Sequence, residues 1–110
     1  MRQYLIDELR VEDQDKLRNY FKKNSKESGF DDIFWIELPN EILNSIQKDH
    51  TDCMPFYVAV DLEETFISIE LLIRTRKSMR CECISYADNN QRDWILEHID
   101  SIFNKLSIIY

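Results

Sequence analysis

The sequence predicts an α+β fold, a two-layer sandwich in which an antiparallel β-meander of about four to five strands carries three helices. Runs rich in β-branched and aromatic residues, at 33–38, 56–63 and 66–75, have the composition of strands. Two longer segments, residues 12–23 and 91–106, carry apolar residues at helical spacing. The expected order of elements is approximately β-α-β-α-β-β-β-α.

The first half of the chain supplies two predicted strands and two predicted helices. Residues 3–9 are expected to form a short strand, and a helix follows with acids in its first turn and lysines in its last, which suits the helix dipole. Residues 33–38 include four consecutive apolar positions, as in a strand covered on both sides. Pro39 then suits the first position of a short helix over residues 40–49.

The second half supplies three predicted strands in quick succession, at residues 56–63, 66–75 and 79–87. Their connections are too short for crossovers, so neighbouring strands must run antiparallel. Pairing Leu62 with Ile67, and Ile73 with Cys81, places the aliphatic residues on one face. Because a slip of one residue would turn polar side chains inward, this register is favoured. A final helix over residues 91–106 follows an Asp-Asn-Asn cap.

Composition limits the class of protein. The 110 residues have the size of one domain, and we expect 1–110 to form a single domain. The formal net charge of −7 opposes nonspecific binding to nucleic acid, because a polyanion is repelled by an acidic surface. The single glycine excludes a P-loop, a dinucleotide-binding fingerprint and a nucleophile elbow, since each needs several glycines.

The expected location is the cytoplasm. The apolar runs are far shorter than the ~20 residues that a membrane span needs. The first ten residues contain no apolar run of signal-peptide length. Three cysteines, an odd number, suit a reducing compartment better than a disulfide framework. We therefore predict no membrane contact.

Two tight pairs of potential metal ligands, His50-x-x-Cys53 and Cys81-x-Cys83, could together supply the four ligands of a zinc site. Against this, Cys81 and Cys83 fall on the core face of a predicted strand, where reduced cysteine is common. The strands next to Cys53 and bearing Cys81 would lie about 10 Å apart, whereas thiolates on one zinc are ~3.8 Å apart. The sequence thus favours core cysteines and no cofactor, and leaves zinc binding as the alternative.

The sheet face that points away from the predicted core is half apolar and half charged, which is typical of an interaction surface. Its candidate contact residues are Tyr57, Phe66, Leu72, Ile84 and Tyr86. A basic patch adjoins it, formed by Arg74, Arg76, Lys77 and Arg80. Removing these four charges from the net −7 leaves −11 on the rest of the chain. We expect an acidic protein segment or a second copy to dock there; the alternative is a solvated hairpin tip.

The function predicted from sequence is a non-enzymatic protein-interaction or self-associating domain, with a protein partner or a homodimer and no nucleic acid. A small zinc-binding domain is the second hypothesis. An enzyme is the third, because no pair among the 21 carboxylates is singled out and no Ser or Cys nucleophile is placed beside His98 by the sequence.

Overall fold

The computed structural model describes residues 3–24, 26–27, 32–77 and 80–108. It confirms an α+β fold with an antiparallel sheet and three helices. The strands in these ranges are β1 (Gln3–Ile6), β2 (Lys26–Glu27), β3 (Ile33–Glu37), β4 (Phe56–Leu62), β5 (Ile67–Glu70), β6 (Leu72–Thr75) and β7 (Ser85–Tyr86). The helices are α1 (Val11–Asn24), α2 (Ser45–Asp49) and α3 (Asn89–Lys105), and short 3-10 turns cover Asn40–Ile42 and Thr51–Cys53.

Strand β4 lies at the centre of the sheet, whose strand order is β1-β5-β4-β3-β2. One edge of β4 pairs with β3. Along the other edge, the N-terminal end of β4 pairs with β6 and its C-terminal end pairs with β5. Strand β6 in turn pairs with β7. All of these pairings are antiparallel. The predicted pairing of Leu62 with Ile67 is confirmed.

The predicted strand 66–75 is interrupted at Leu71 and forms β5 and β6. Between the pairs Val60–Ile69 and Phe56–Thr75, β4 holds three residues and the opposing segment holds five. The two extra residues form a bulge, which bends the opposing segment and re-aims its side chains. Periodicity alone does not reveal this bulge, because the alternation of side chains resumes after it.

The predicted strand 79–87 and the pairing of Ile73 with Cys81 are wrong. Residues 80–84 form turns, β7 is confined to Ser85–Tyr86, and Ile73 pairs with Ser85. Residues 78–79 lie outside the described ranges. The physical reason is a competing set of hydrogen bonds. The Ile84 amide donates to the Cys81 carbonyl at 3.0 Å, and a buried side chain satisfies the Cys83 carbonyl.

Helices α1 and α3 cover one face of the sheet. Phe21 of α1 stacks on Phe34 of β3 with ring centroids 5.5 Å apart. The buried apolar residues of α3 join the same core cluster as the inward residues of β4. Fully burying one large aliphatic or aromatic side chain stabilises the fold by about 1.5–3 kcal/mol. The second layer of the predicted sandwich is therefore held by hydrophobic burial.

The opposite face, here called the open face, carries the alternate strand residues, which lie on the side of the sheet away from α1 and α3. Among the side chains of this face whose burial the structure describes, those of Tyr57 and Ser68 alone are buried. None of the open-face apolar residues belongs to the core cluster of the described chain. The open face consists of Gln3, Leu5, Ile33, Trp35, Glu37, Tyr57, Ala59, Asp61, Ser68, Glu70, Leu72, Arg74 and Tyr86.

The predicted helix over residues 40–49 is split, because Asn44 caps a new helix in its middle. The Asn44 side chain accepts a hydrogen bond from the Gln47 amide at 2.8 Å, and the Gln47 side chain accepts one from the Asn44 amide at 3.1 Å. Asp88 and Gln91 form the same capping box at the start of α3. None of the helices in the described ranges is long and apolar enough to cross a membrane.

Candidate metal centre

The sulfur atoms of Cys53, Cys81 and Cys83, here called the thiol cluster, lie within 4.8 Å of one another. The Sγ atoms of Cys53 and Cys81 are 4.0 Å apart, and all three cysteines are free thiols. The separation of about 10 Å expected from a simple meander was wrong. Cys53 lies in a 3-10 turn before β4, and Cys81 lies in the turn region before β7, so neither is held at strand spacing.

The 3-10 turn that carries Cys53 is fixed at both ends. The Cys53 amide donates to the carbonyl of His50 at 2.9 Å, which closes the turn. The hydroxyl of Thr75, at the end of β6, donates to the Cys53 carbonyl. Cys53 is thereby attached to the strand that leads into the turn region containing the other two cysteines.

The turn that carries Cys83 is fixed by two buried glutamines. Gln47 Nε2 donates to the Cys83 carbonyl at 3.1 Å, and Gln91 Nε2 donates to Gln47 Oε1 at 2.8 Å. Both glutamine side chains are fully buried. Each also belongs to the capping box of its helix. The starts of α2 and α3 therefore determine together where Cys83 lies.

The pKa values of Cys81 and Cys83 are shifted in opposite directions. Hydrogen bonds from the side chain and the backbone amide of Cys83 lower the pKa of Cys81, and that amide lies 3.5 Å from the Cys81 Sγ. Burial, the largest cause, and the neighbouring thiols together raise the pKa of Cys83 to about 12. Three thiols at one point cannot all ionise without a cation, because like charges repel. A bound metal ion reverses this, since coordinated thiols are deprotonated.

The three cysteines of the thiol cluster differ in how deeply they are buried. Cys83 is fully buried and belongs to the hydrophobic core, as the core-cysteine prediction expected. Cys53 and Cys81 are half-buried and only pack against that core. A purely apolar role gives no reason for the sulfurs of two partly exposed turns to converge.

His50 borders the cluster. Its Nδ1 lies 2.6 Å from the carbonyl oxygen of Ile46, which can only accept, so Nδ1 carries the proton. Its Nε2 lies 3.5 Å from a carboxylate oxygen of Glu82, outside the group of converging sulfurs. The Ile46 carbonyl is the main cause of the raised pKa of His50, and Cys81 and Glu82 add to it while burial opposes it. Metal-binding histidines typically have this arrangement, with one ring nitrogen donating to a carbonyl and the other left to bind the metal.

Sequence reasoning identified the four candidate ligands but missed the residues that hold or border them. Glu82 stands between the two cysteines of the Cys-x-Cys pair, and its proximity to His50 follows from a turn that was predicted to be a strand. Gln47 and Gln91 could have been found, because the sequences Asn-x-x-Gln and Asp-x-x-Gln before apolar helical repeats are signatures of capping boxes.

The structure distributes the predicted interaction residues over three environments. Leu72 and Tyr86 are on the open face, and 46% of Tyr86 is exposed. Tyr57 is on the same face but is only 2% exposed. Phe66 precedes β5 and is half-buried, whereas Ile84 packs against the core. A binding role for these residues stays a prediction.

The basic patch extends onto the open face. Arg74 forms an ion pair of 2.8 Å with Glu70. The guanidinium of Arg76 lies 4.6 Å from the ring centroid of Trp35, which contacts Tyr57 edge-on at 5.0 Å. Sequence reasoning missed Trp35, because it took the strand 33–38 to be covered on both sides. Lys77 and Arg80 are also exposed.

The other histidine, His98, lies apart from the thiol cluster. Its ring stacks on Trp94 at 4.7 Å, and burial lowers its pKa, with a smaller effect from Lys105. It borders a cavity of about 420 Å³, and none of the nine described residues lining that cavity is Ser, Thr or Cys. The cavity therefore offers His98 no serine, threonine or cysteine nucleophile in this part of the chain.

No protein-family model, curated protein or solved structure matches this chain. Function is therefore inferred from the geometry of the chain itself.

Proposed function

We propose that this protein is a small zinc-binding domain, in which the thiolates of Cys53, Cys81 and Cys83 and the Nε2 atom of His50 hold one Zn²⁺ ion. The observation that carries the proposal is the convergence of three sulfurs from two segments far apart in the sequence. It reverses the ranking that the sequence alone favours, in which protein interaction comes first and zinc binding second.

The distances support zinc. With Zn–S bonds of ~2.3 Å in a tetrahedron, two thiolates on one ion lie ~3.8 Å apart. The Sγ atoms of Cys53 and Cys81 are 4.0 Å apart, and Cys83 Sγ lies within 4.8 Å of both. Soft thiolate ligands with one imidazole favour zinc over the hard cations Mg²⁺ and Ca²⁺. Small shifts of the side chains would bring the sulfurs to coordination geometry.

The hydrogen bonds around the cluster support ionised ligands. The Cys83 amide points at Cys81 Sγ, which stabilises a thiolate. The Ile46 carbonyl fixes the His50 tautomer that leaves Nε2 available. On metal binding, the His50 ring would exchange its contact with Glu82 for the zinc. A reducing compartment such as the cytoplasm, which the sequence predicts, would keep the thiols available.

The proposed role of the zinc is structural. A site closed by four protein ligands has no open position for a water molecule or substrate, unlike a catalytic zinc site. The ion would connect the turn before β4 to the turn before β7. Neither of these turns lies in a strand of the sheet or in an α-helix.

The test is the zinc content of protein purified without added metal, measured by inductively coupled plasma mass spectrometry. We expect about one zinc per chain. The double variant Cys53→Ser, Cys81→Ser should lose it, because serine does not replace a thiolate ligand of zinc. In competition with a chelator, His50→Ala should bind zinc at least about tenfold more weakly, as expected when a ligand is lost.

The chain contains a matched control, because it has only two histidines. His98→Ala removes an imidazole far from the cluster and should leave the zinc affinity unchanged. A wild-type chain that stays well below one zinc at saturating zinc contradicts the proposal, as does zinc retained by the double cysteine variant. Equal effects of the two histidine substitutions would remove His50 from the ligand set.

A further inference from the structure

The open face has an apolar centre. Ala59 lies in the middle of β4 and pairs with Trp35, and both are half-buried. Tyr57, on the same strand, is 2% exposed beside Trp35. At the sheet margin Leu5 is 47% exposed. A small residue at the centre of an apolar sheet face allows a second surface to approach closely.

The two ends of the open face carry opposite charge. At the end near Tyr57 are Arg74 and Arg76, which begin the basic patch. Glu37 also lies at this end and Glu70 pairs with Arg74, but the four cations of the basic patch outnumber these two acids. At the other end of β4 is Asp61, whose side chain hydrogen-bonds to that of Glu63 just beyond the strand. The four residue-to-residue steps from Tyr57 to Asp61 span about 13 Å. Asp61 raises the pKa of Glu63, first through the side-chain hydrogen bond and second through the repulsion between the two groups when both are ionised.

This pattern is self-complementary under a twofold rotation. We propose that the open face binds a second copy of this chain, with the twofold axis perpendicular to β4 and close to Ala59. In that arrangement the two β4 strands run antiparallel across the interface, and the basic end of each copy faces the Asp61–Glu63 pair of the other. A twofold axis parallel to β4 is disfavoured, because it would place arginine against arginine.

The expected dimer is weak. Five adjacent strands at ~4.8 Å spacing and about five residues per strand give a face of about 20 by 17 Å. This footprint is small beside the ~800 Å² of accessible surface that each partner buries in a standard stable interface. Association should therefore depend on protein concentration and weaken as salt screens the exposed charges.

The test is a charge swap, followed by sedimentation velocity over a range of protein concentrations. The first variant is Arg76→Glu with Lys77→Glu, and the second is Asp61→Lys with Glu63→Lys. With Glu37 and Glu70 counted, the first variant has two cations and four acids at the end near Tyr57, and the second has only lysines in place of the Asp61–Glu63 pair. Each variant alone therefore has two ends of the same sign, so its dimerisation should weaken by at least about tenfold. An equimolar mixture restores complementarity at both ends of the interface, so we expect the dimer to return in the mixture.

The control is Lys16→Glu with Arg92→Glu, which makes the same change of charge on exposed positions of the helices and should leave dimerisation unchanged. If the variant Asp61→Lys with Glu63→Lys does not fold, judged by circular dichroism, Asp61→Asn with Glu63→Gln takes its place. Mixed with the first variant, it should still form more dimer than the first variant alone.

A wild-type chain that stays monomeric at every concentration overturns the proposal, and an acidic partner of a different kind would then be the occupant to seek. A dimer that survives both variants, or a mixture that does not recover, also overturns it. Zinc content measured on the same samples separates this proposal from the metal site, because the charge variants keep every proposed ligand.

Discussion

The thiol cluster and the open face both carry polar groups, and they differ in how these groups are arranged. In the thiol cluster, three sulfurs point at one location and the surrounding amides and glutamines are joined by hydrogen bonds within the chain. On the open face, opposite charges lie at the two ends of β4, about 13 Å apart, and face solvent.

Under the two proposals, this difference corresponds to the size of the ligand that each region would bind. Groups that converge within a few ångströms suit a single ion, because its charge compensates several ligands at once. Charges separated by the length of a strand suit a surface of the same length. Substitutions that abolish binding at one region should therefore leave binding at the other unchanged.

The largest expected effect is on metal-dependent stability. Zinc at a thousand times its dissociation constant would stabilise the fold by about 4 kcal/mol, so a chelator should lower the Tm by about 10 °C or more. Differential scanning fluorimetry with and without chelator measures this. The Arg76→Glu, Lys77→Glu variant should show the same drop, and the Cys53→Ser, Cys81→Ser variant should show none. Equal drops in Tm in all three chains would mean that the chelator does not act through the cysteines.

A smaller effect is expected from the glutamines that hold the Cys83 turn. Gln91→Ala removes the hydrogen bond to the buried Gln47 Oε1 and one half of a capping box, at a cost of about 1–3 kcal/mol in the free energy of unfolding. Urea denaturation of the zinc-free chain measures it. Asn104→Ala, at an exposed position of the same helix, should change stability by less than about 0.5 kcal/mol. Similar costs for the two variants would mean that the buried network contributes little.

The pH dependence should have opposite signs with and without zinc. In the zinc-free chain, the folded state raises the pKa of Cys83 from 9.0 to about 12. The folded state thus binds the proton more tightly, and its stabilising contribution is present below pH 9 and lost as the pH rises toward 12. Cys83→Ala should reduce this loss. In the zinc-loaded chain, protons compete with the metal, so stability should fall as the pH is lowered. Parallel pH profiles of the two forms, measured by urea denaturation, would contradict this account.

The smallest effect is expected on the open face. The exposed ion pair between Arg74 and Glu70 should be worth less than about 1 kcal/mol, so Arg74→Ala should hardly change the free energy of unfolding. The same urea denaturation applies. A loss of several kcal/mol would mean that Arg74 supports the fold, for example by covering Tyr57, and is not simply a surface charge.

The sequence predicted the elements in which apolar residues repeat regularly over many positions. It did not predict the features that side-chain hydrogen bonds create. The final helix and the Leu62–Ile67 pairing follow from patterns of burial and were confirmed. The bulge at Leu71 keeps the alternation of side chains on either side, so periodicity cannot detect it.

The convergence of the cysteines was missed for a related reason. Residues 80–83 alternate polar and apolar side chains as a strand does, but the chain turns at residues 82–83, and Gln47 satisfies the carbonyl of Cys83. This contact joins residues 36 positions apart, and no local pattern contains it.

The central claim is a zinc ion held by three sulfurs and one nitrogen. X-ray absorption at the zinc edge, on protein purified without added metal, tests it most directly. The account predicts three sulfur ligands at ~2.3 Å and one nitrogen ligand at ~2.0 Å. Protein without zinc, or zinc surrounded only by oxygen and nitrogen, would contradict it.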